Sequence, residues 1–116
     1  MKDLSSLPSN FISWEESVAR VGGDEEFLLE LLTDLKEMVE ENLPKLKDSL
    51  KNSDFSDIKA IAHSMKGASG NLGLNTIYET TLNLENSATN SDAESSNKYI
   101  VELESGFESL KFLVSD

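Results

Sequence analysis

The stretch Asp24 to Leu50, DEEFLLELLTDLKEMVEENLPKLKDSL, sets its apolar residues in steps of three and four. Leu28, Leu31, Leu32, Leu35, Val39, Leu43, Leu46 and Leu50 therefore share one face of a helix that turns about 100° per residue. Such a stripe must be buried against other elements. Asp24 stands where an N-cap side chain accepts the first unpaired backbone N–H groups. Pro44 lies inside the pattern and lacks a backbone donor, so a kink near Glu40 is expected.

Toward the N-terminus, Gly22 and Gly23 stop a shorter helix that Ser13 opens and that ends near Arg20. Glu16, three residues after Ser13, completes a capping-box pattern. Toward the C-terminus, Ser53 or Asp54 opens a third helix with Phe55, Ile58, Ile61, Ala62, Met65 and Leu72 as its apolar set, and Gly73 stands at the C′ position. A fourth helix runs from Leu74 or Ile77 through Thr81, Leu84 and Ala88. The segment 86–97 is rich in Ser, Asn and Thr and is expected to hold a loop or a frayed end. A last helix carries Tyr99, Ile100, Leu103, Phe107, Leu110 and Val114.

No alternating apolar pattern suggests a strand, and no repeat or linker divides the chain. The expected fold is all-α: an antiparallel four-helix bundle with an additional short N-terminal helix as a lid. Residues 1–10 read as a tail and residues 11–116 as one helical domain, which a chain of 116 residues can support.

Twenty-two acidic against ten basic side chains give a net charge of −12. Such a surface repels nucleic acid and anionic membranes, so neither is an expected partner. The absence of cysteine excludes disulfides and thiolate zinc sites. There is no apolar run of about 18 residues, and MKDLSSLPSN lacks the apolar core of a signal peptide. A soluble, cytoplasmic protein is expected.

The third helix holds the only histidine, within AHSMKGASGNLG at Ala62 to Gly73. On a helical wheel centred on Ile58, the residues Ile61, Ala62, Met65, Ser69 and Leu72 lie within about 60°. Lys59, His63, Lys66, Gly67 and Gly70 lie roughly 80° to 180° away, outside the core face. A glycine inside a helix costs up to about 1 kcal/mol relative to alanine. Glycines at helical spacing can admit a neighbouring helix, but none is expected on the histidine's own face. Gly67 and Gly70 there imply that something outside approaches His63 closely. Neutral imidazole is a nucleophile near pH 7. An ammonium at i+3, Lys66, can offset the charge of a phosphoryl group carried on the ring. The ring's second nitrogen needs a group that fixes its tautomer, and Glu85, on the edge of the fourth helix's stripe, is the best placed. An ordinary surface carboxylate remains the alternative for Glu85.

The segment AHSMKGASGNLG resembles the signature of histidine-containing phosphotransfer (HPt) domains, His-x-x-Lys-Gly followed by a further glycine. WEESVARVGGDEEFLLELLTDL resembles the opening of that family, and LGLNTIYETTLNLENSA its fourth helix, so residues 11 to 114 are covered. The resemblance implies a four-helix bundle with an extra helix, relaying phosphoryl groups between aspartates of receiver domains. His63 would then be the phospho-acceptor, Lys66 would steady the phosphoryl group, and Glu85 would contact the ring. Lys59, Gly67 and Gly70 would face the receiver. The implied docking surface also takes in the first helix, where Phe11, Ile12 and Trp14 either make apolar contacts with the partner or cap the bundle. Many relatives carry a basic residue near the end of the fourth helix; this chain has Thr89 there.

GASGNLG, Gly67 to Gly73, is neither a Walker A loop nor a dinucleotide fingerprint, and no strand precedes it. The chain therefore reads as a phosphoryl carrier and not an enzyme, with no cofactor of its own; the Mg²⁺ for the reaction is expected on the partner receiver. Response-regulator receiver domains and a hybrid sensor histidine kinase are the implied partners, and a monomer is expected. The alternatives are a domain excised from a hybrid or chemotaxis-type kinase, and a non-phosphorylated acidic helical adaptor.

Overall fold

A computed structural model describes residues 3–115. Five α-helices follow a short 3-10 turn at Leu4–Ser6: α1 (Trp14–Arg20), α2 (Glu25–Lys51), α3 (Phe55–Asn71), α4 (Asn75–Thr89) and α5 (Ala93–Val114). No strand occurs among the described residues.

Aspartates set the starts of three helices. Asp24, Asp54 and Asp92 each accept the backbone N–H three residues on, from Phe27, Asp57 and Ser95, at 3.0 Å. These contacts satisfy one orphan donor apiece and place negative charge at the positive end of the helix dipole. Ser13 behaves otherwise. It occupies the N-cap position of α1, but its side chain makes no cap bond, so the expected capping box is not formed. Its hydroxyl instead accepts a long hydrogen bond from Asn75 Nδ2 at 3.4 Å.

The helix ends share one device. After α1, α2, α3 and α4 the chain enters the left-handed region at Gly22, Ser53, Gly73 and Ser91. In each case paired backbone bonds close the last turn, as with Leu74 N–H to Ser69 O at 3.0 Å and Gly73 N–H to Gly70 O at 3.2 Å. This pairing is the Schellman motif, which satisfies the orphan carbonyls. The next residue or two then begin the following helix, so the connections hold three or four residues. The segment 86–97 shows how short they are. Only residues 90–92 leave helical geometry, because Ser87 and Ser96 are buried and bonded to each other at 2.8 Å across the α4–α5 contact. Pro44 does not interrupt α2, which stays helical from Glu25 to Lys51.

The four long helices pack as a ring, α2 on α3, α3 on α4, α4 on α5 and α5 on α2. Short turns make successive helices antiparallel. Their stripes meet in one core that includes Leu28, Leu32, Leu46, Ile58, Met65, Ile77, Leu84, Ile100, Leu103 and Leu110, all fully buried. Each such side chain contributes about 1.5–3 kcal/mol of transfer free energy. Gly106 lets α5 lie close to α4, since a Cβ there would lie 3.1 Å from Ile77 Cγ1, tighter than ordinary contact. Leu4 and Leu7, in the segment before α1, rest against the core edge.

α1 crosses the end of the bundle and is held there by two side chains. Ser17, fully buried, donates its hydroxyl to Leu72 O at 2.7 Å, and Arg20 Nη1 donates to Gly70 O at 2.8 Å. Both acceptors are carbonyls at the C-terminus of α3. No helix among the described residues is long and apolar enough to cross a membrane.

Candidate functional site

The core face of α3 is set by Ile58, Ala62, Met65 and Ser69, all buried, which turns His63 outward. The same rule applied to α4, with Ile77, Thr81, Leu84 and Ala88 inside, leaves Glu85 at the seam between the two helices. Helix packing therefore brings His63, Lys66 and Glu85 together. Glu85 Oε2 lies 2.8 Å from His63 Nδ1, and Glu85 Oε1 accepts from Lys66 Nζ at 2.7 Å.

The three side chains differ in exposure. His63 is 69% exposed, whereas Lys66 is 23% and Glu85 13% exposed. The hydrogen-bonded Lys66 ammonium holds the Glu85 carboxyl below the usual carboxylate range; partial burial opposes this and the His63 contact adds to it. A carboxyl whose folded pKa is depressed stabilises the fold above its unfolded value of 4.5, and that contribution is lost as pH falls through the lowered value. At neutral pH the contact is thus intact. An ionised carboxylate can only accept, so in the neutral ring Nδ1 carries the proton and Nε2 bears the free lone pair. The arrangement is an oriented, solvent-exposed nucleophile.

Lys66 lies one turn from His63, as expected, and its ammonium is paired with Glu85. Gly67 is as open as expected: no heavy atom lies within 4 Å of where its Cβ would be. Gly70 is not. A Cβ there would meet Tyr78 Cδ1 at 3.0 Å, so this glycine makes room for the tyrosine ring of α4, while it also lines an open cleft. Phe11 is 1% exposed and part of the core, which removes it from any docking surface. Ile12 and Trp14 are half-buried against the core, and Trp14 Nε1 reaches Glu25 Oε1 at 3.3 Å. Lys59 is exposed beside His63 and Glu85 in a shallow hollow. Arg20, which the wheel of α3 could not place, borders the surface beyond Lys66.

The family model described as Hpt domain matches residues 30–111. The chain belongs to the Hpt domain family. No curated protein and no solved structure matches it. As an Hpt domain it serves histidine phosphotransfer in a phosphorelay, the family being phosphoryl carriers that interact with receiver domains.

Removing the orienting group of this Hpt domain tests the tautomer argument. Glu85→Ala is expected to lower the rate of phosphoryl acceptance by about 10²-fold or more, the lower end of what a positioned base contributes. Glu85→Gln, which can still accept from Nδ1–H, is expected to retain more activity. Rapid-quench transfer kinetics on both variants give the comparison; equal rates in all three proteins would mean that the contact does not orient the ring.

Proposed function

We propose that this Hpt domain is a phosphorelay intermediate whose acceptor is His63 Nε2, placed between receiver domains, one of them on a hybrid sensor histidine kinase. The single observation that carries the assignment is the Glu85 carboxylate on Nδ1 of a histidine whose other nitrogen faces solvent.

In the accepting step, Nε2 attacks the phosphorus of a receiver's aspartyl phosphate. A P–N bond forms, the P–O bond to the aspartate breaks, and the carboxylate remains with the receiver. The proton stays on Nδ1, and the positive charge that develops on the ring is offset by Glu85. Passing the group to a second receiver reverses these events. A Mg²⁺ ion held by the receiver would supply the neutralisation of phosphoryl charge. Lys66, one turn from His63 and already oriented by Glu85, is the cation of this chain closest in sequence to the carried phosphoryl group. The domain acts as a monomer in the cytoplasm.

Incubation with a radiolabelled phospho-receiver tests the reading. The expected product is labelled protein whose adduct is lost in acid and survives base, the behaviour of a phosphoramidate. An acid-stable adduct, or no label from any receiver of the source organism, overturns it.

The open surface at Gly67 makes a further test. Gly67→Ala is expected to stabilise the fold by about 0.5–1 kcal/mol, because alanine favours the helix and meets nothing. The same change is expected to slow transfer, because the methyl group stands where the receiver approaches. Thermal melts and transfer rates on one sample separate the two effects; a faster or unchanged rate removes the close-approach role of Gly67.

A further inference from the structure

A cleft of about 470 Å³ opens between α1, α3 and α4 on the side of Lys66 away from Lys59. Arg20 and Lys66 stand at its edge, Gly67 and Gly70 form part of its floor, and Tyr78 and Asn75 border it on α4. No carboxylate lines it, although acidic residues outnumber basic ones by 22 to 10 in the chain. Two of the few cations thus meet at one recess beside the phospho-acceptor.

Arg20 is the only arginine. Its Nη1 bond to Gly70 O explains one of its five N–H donors: it places positive charge at the C-terminus of α3, which has no basic residue in its own last turn. The rest of the exposed guanidinium has no partner among the described residues. A planar fork held at one corner is pre-organised to take a carboxylate with two parallel bonds. The second anchor of α1, Ser17 on Leu72 O, keeps the fork in place. Its neighbour Gly67 leaves the approach unobstructed.

We infer that this cleft receives an acidic side chain of the receiver domain, its carboxylate gripped by Arg20, and that Arg20 thereby selects which receivers dock. The inference rests on the phosphorelay reading above. In a chain of net charge −12, Arg20 and Lys66 at the cleft and Lys59 beside His63 put positive charge around the acceptor, which favours an acidic partner there. Such placement of charge governs orientation and partner choice more than overall affinity.

The test uses a receiver that phosphorylates the wild-type chain, with KM and kcat for transfer measured across a salt series. Arg20→Ala is expected to raise KM roughly ten-fold, the loss of one charge-assisted pair, with little change in kcat and a shallower salt dependence. Arg20→Lys keeps the charge but not the fork and should fall between. Arg20→Glu should dock again when an acidic residue at the receiver's rim is changed to arginine. Ser17→Ala loosens α1 without changing charge, and its salt dependence should match that of the wild type. Matching KM and salt dependence in wild type and Arg20→Ala overturns the cleft and leaves the relay standing. Indistinguishable effects of Ser17→Ala and Arg20→Ala also overturn it, by reducing Arg20 to an anchor. A wild-type chain that no receiver labels overturns both.

Discussion

His63→Gln is expected to accept no phosphoryl group from any receiver, while folding and docking as the parent does. Glutamine has no nucleophilic nitrogen that can form a phosphoramidate, and no second histidine exists to substitute. The side chain removed is 69% exposed, and its hydrogen bond is to Glu85, which keeps Lys66 as a partner. Surface changes of this kind alter stability by only about 0.5 kcal/mol. Label transfer, a thermal melt and receiver binding on the same preparation should therefore give loss, no shift and no change respectively. Label on the variant would assign the acceptor elsewhere. Loss of binding together with transfer would mean that the imidazole docks the partner as well as reacting with it.

Gly73→Ala is expected to be the most damaging small substitution in the protein. Gly73 has φ +72°, a conformation in which an L side chain costs about 1–2 kcal/mol. The added Cβ would also fall 2.6 Å from Ser17 Oγ. Relief of that clash breaks the buried Ser17 bond to Leu72 O and leaves polar groups without partners, a further loss of about 1–3 kcal/mol. Together these should lower Tm by more than about 10 °C in a domain of this size. Adding Ser17→Ala should recover part of the loss, since the clash but not the backbone strain is removed; calorimetry on the two single variants and the double variant measures the coupling. A Tm within two or three degrees of the wild type (about what 0.5 kcal/mol gives) would contradict the argument. The contrast with Gly67→Ala is direct: two glycines six positions apart are expected to answer the same methyl group with opposite signs.

The helices and the outward placement of His63 were readable because periodicity fixes which side of a helix is buried. Leu28, Leu32, Leu35, Val39, Leu43 and Leu46 in α2, and Ile58, Ala62 and Met65 in α3, are all buried as their spacing requires. Glu85 was reached by the same logic, from its position at the margin of a stripe. What one helix's wheel cannot show is which side chain of another helix lies over a given residue. Tyr78 over Gly70 and Ser17 against Gly73 are such cases, and so is Arg20 on the carbonyl of Gly70, fifty residues away. Phe11 lies in a segment with no periodicity to read, and only the fold reveals that it is core. Ser13 has the right residue type for a cap, but Asn75 reaches its hydroxyl instead. The Ser- and Asn-rich segment 86–97 holds the expected loop, at 90–92, but nothing local signals that Ser87 and Ser96 satisfy each other across two helices and leave it so short.

The uniform three- and four-residue connections have a kinetic consequence. Closing so short a loop costs little chain entropy, and each helix meets its sequence neighbour before any distant partner. Among the main contacts between the four long helices, only α5–α2 joins helices that do not follow each other in the chain. The bundle is accordingly a low-contact-order chain that should fold in microseconds to milliseconds. Of the contacts between the four long helices, the docking of α5 on α2 is the one most exposed to the entropy of the intervening chain.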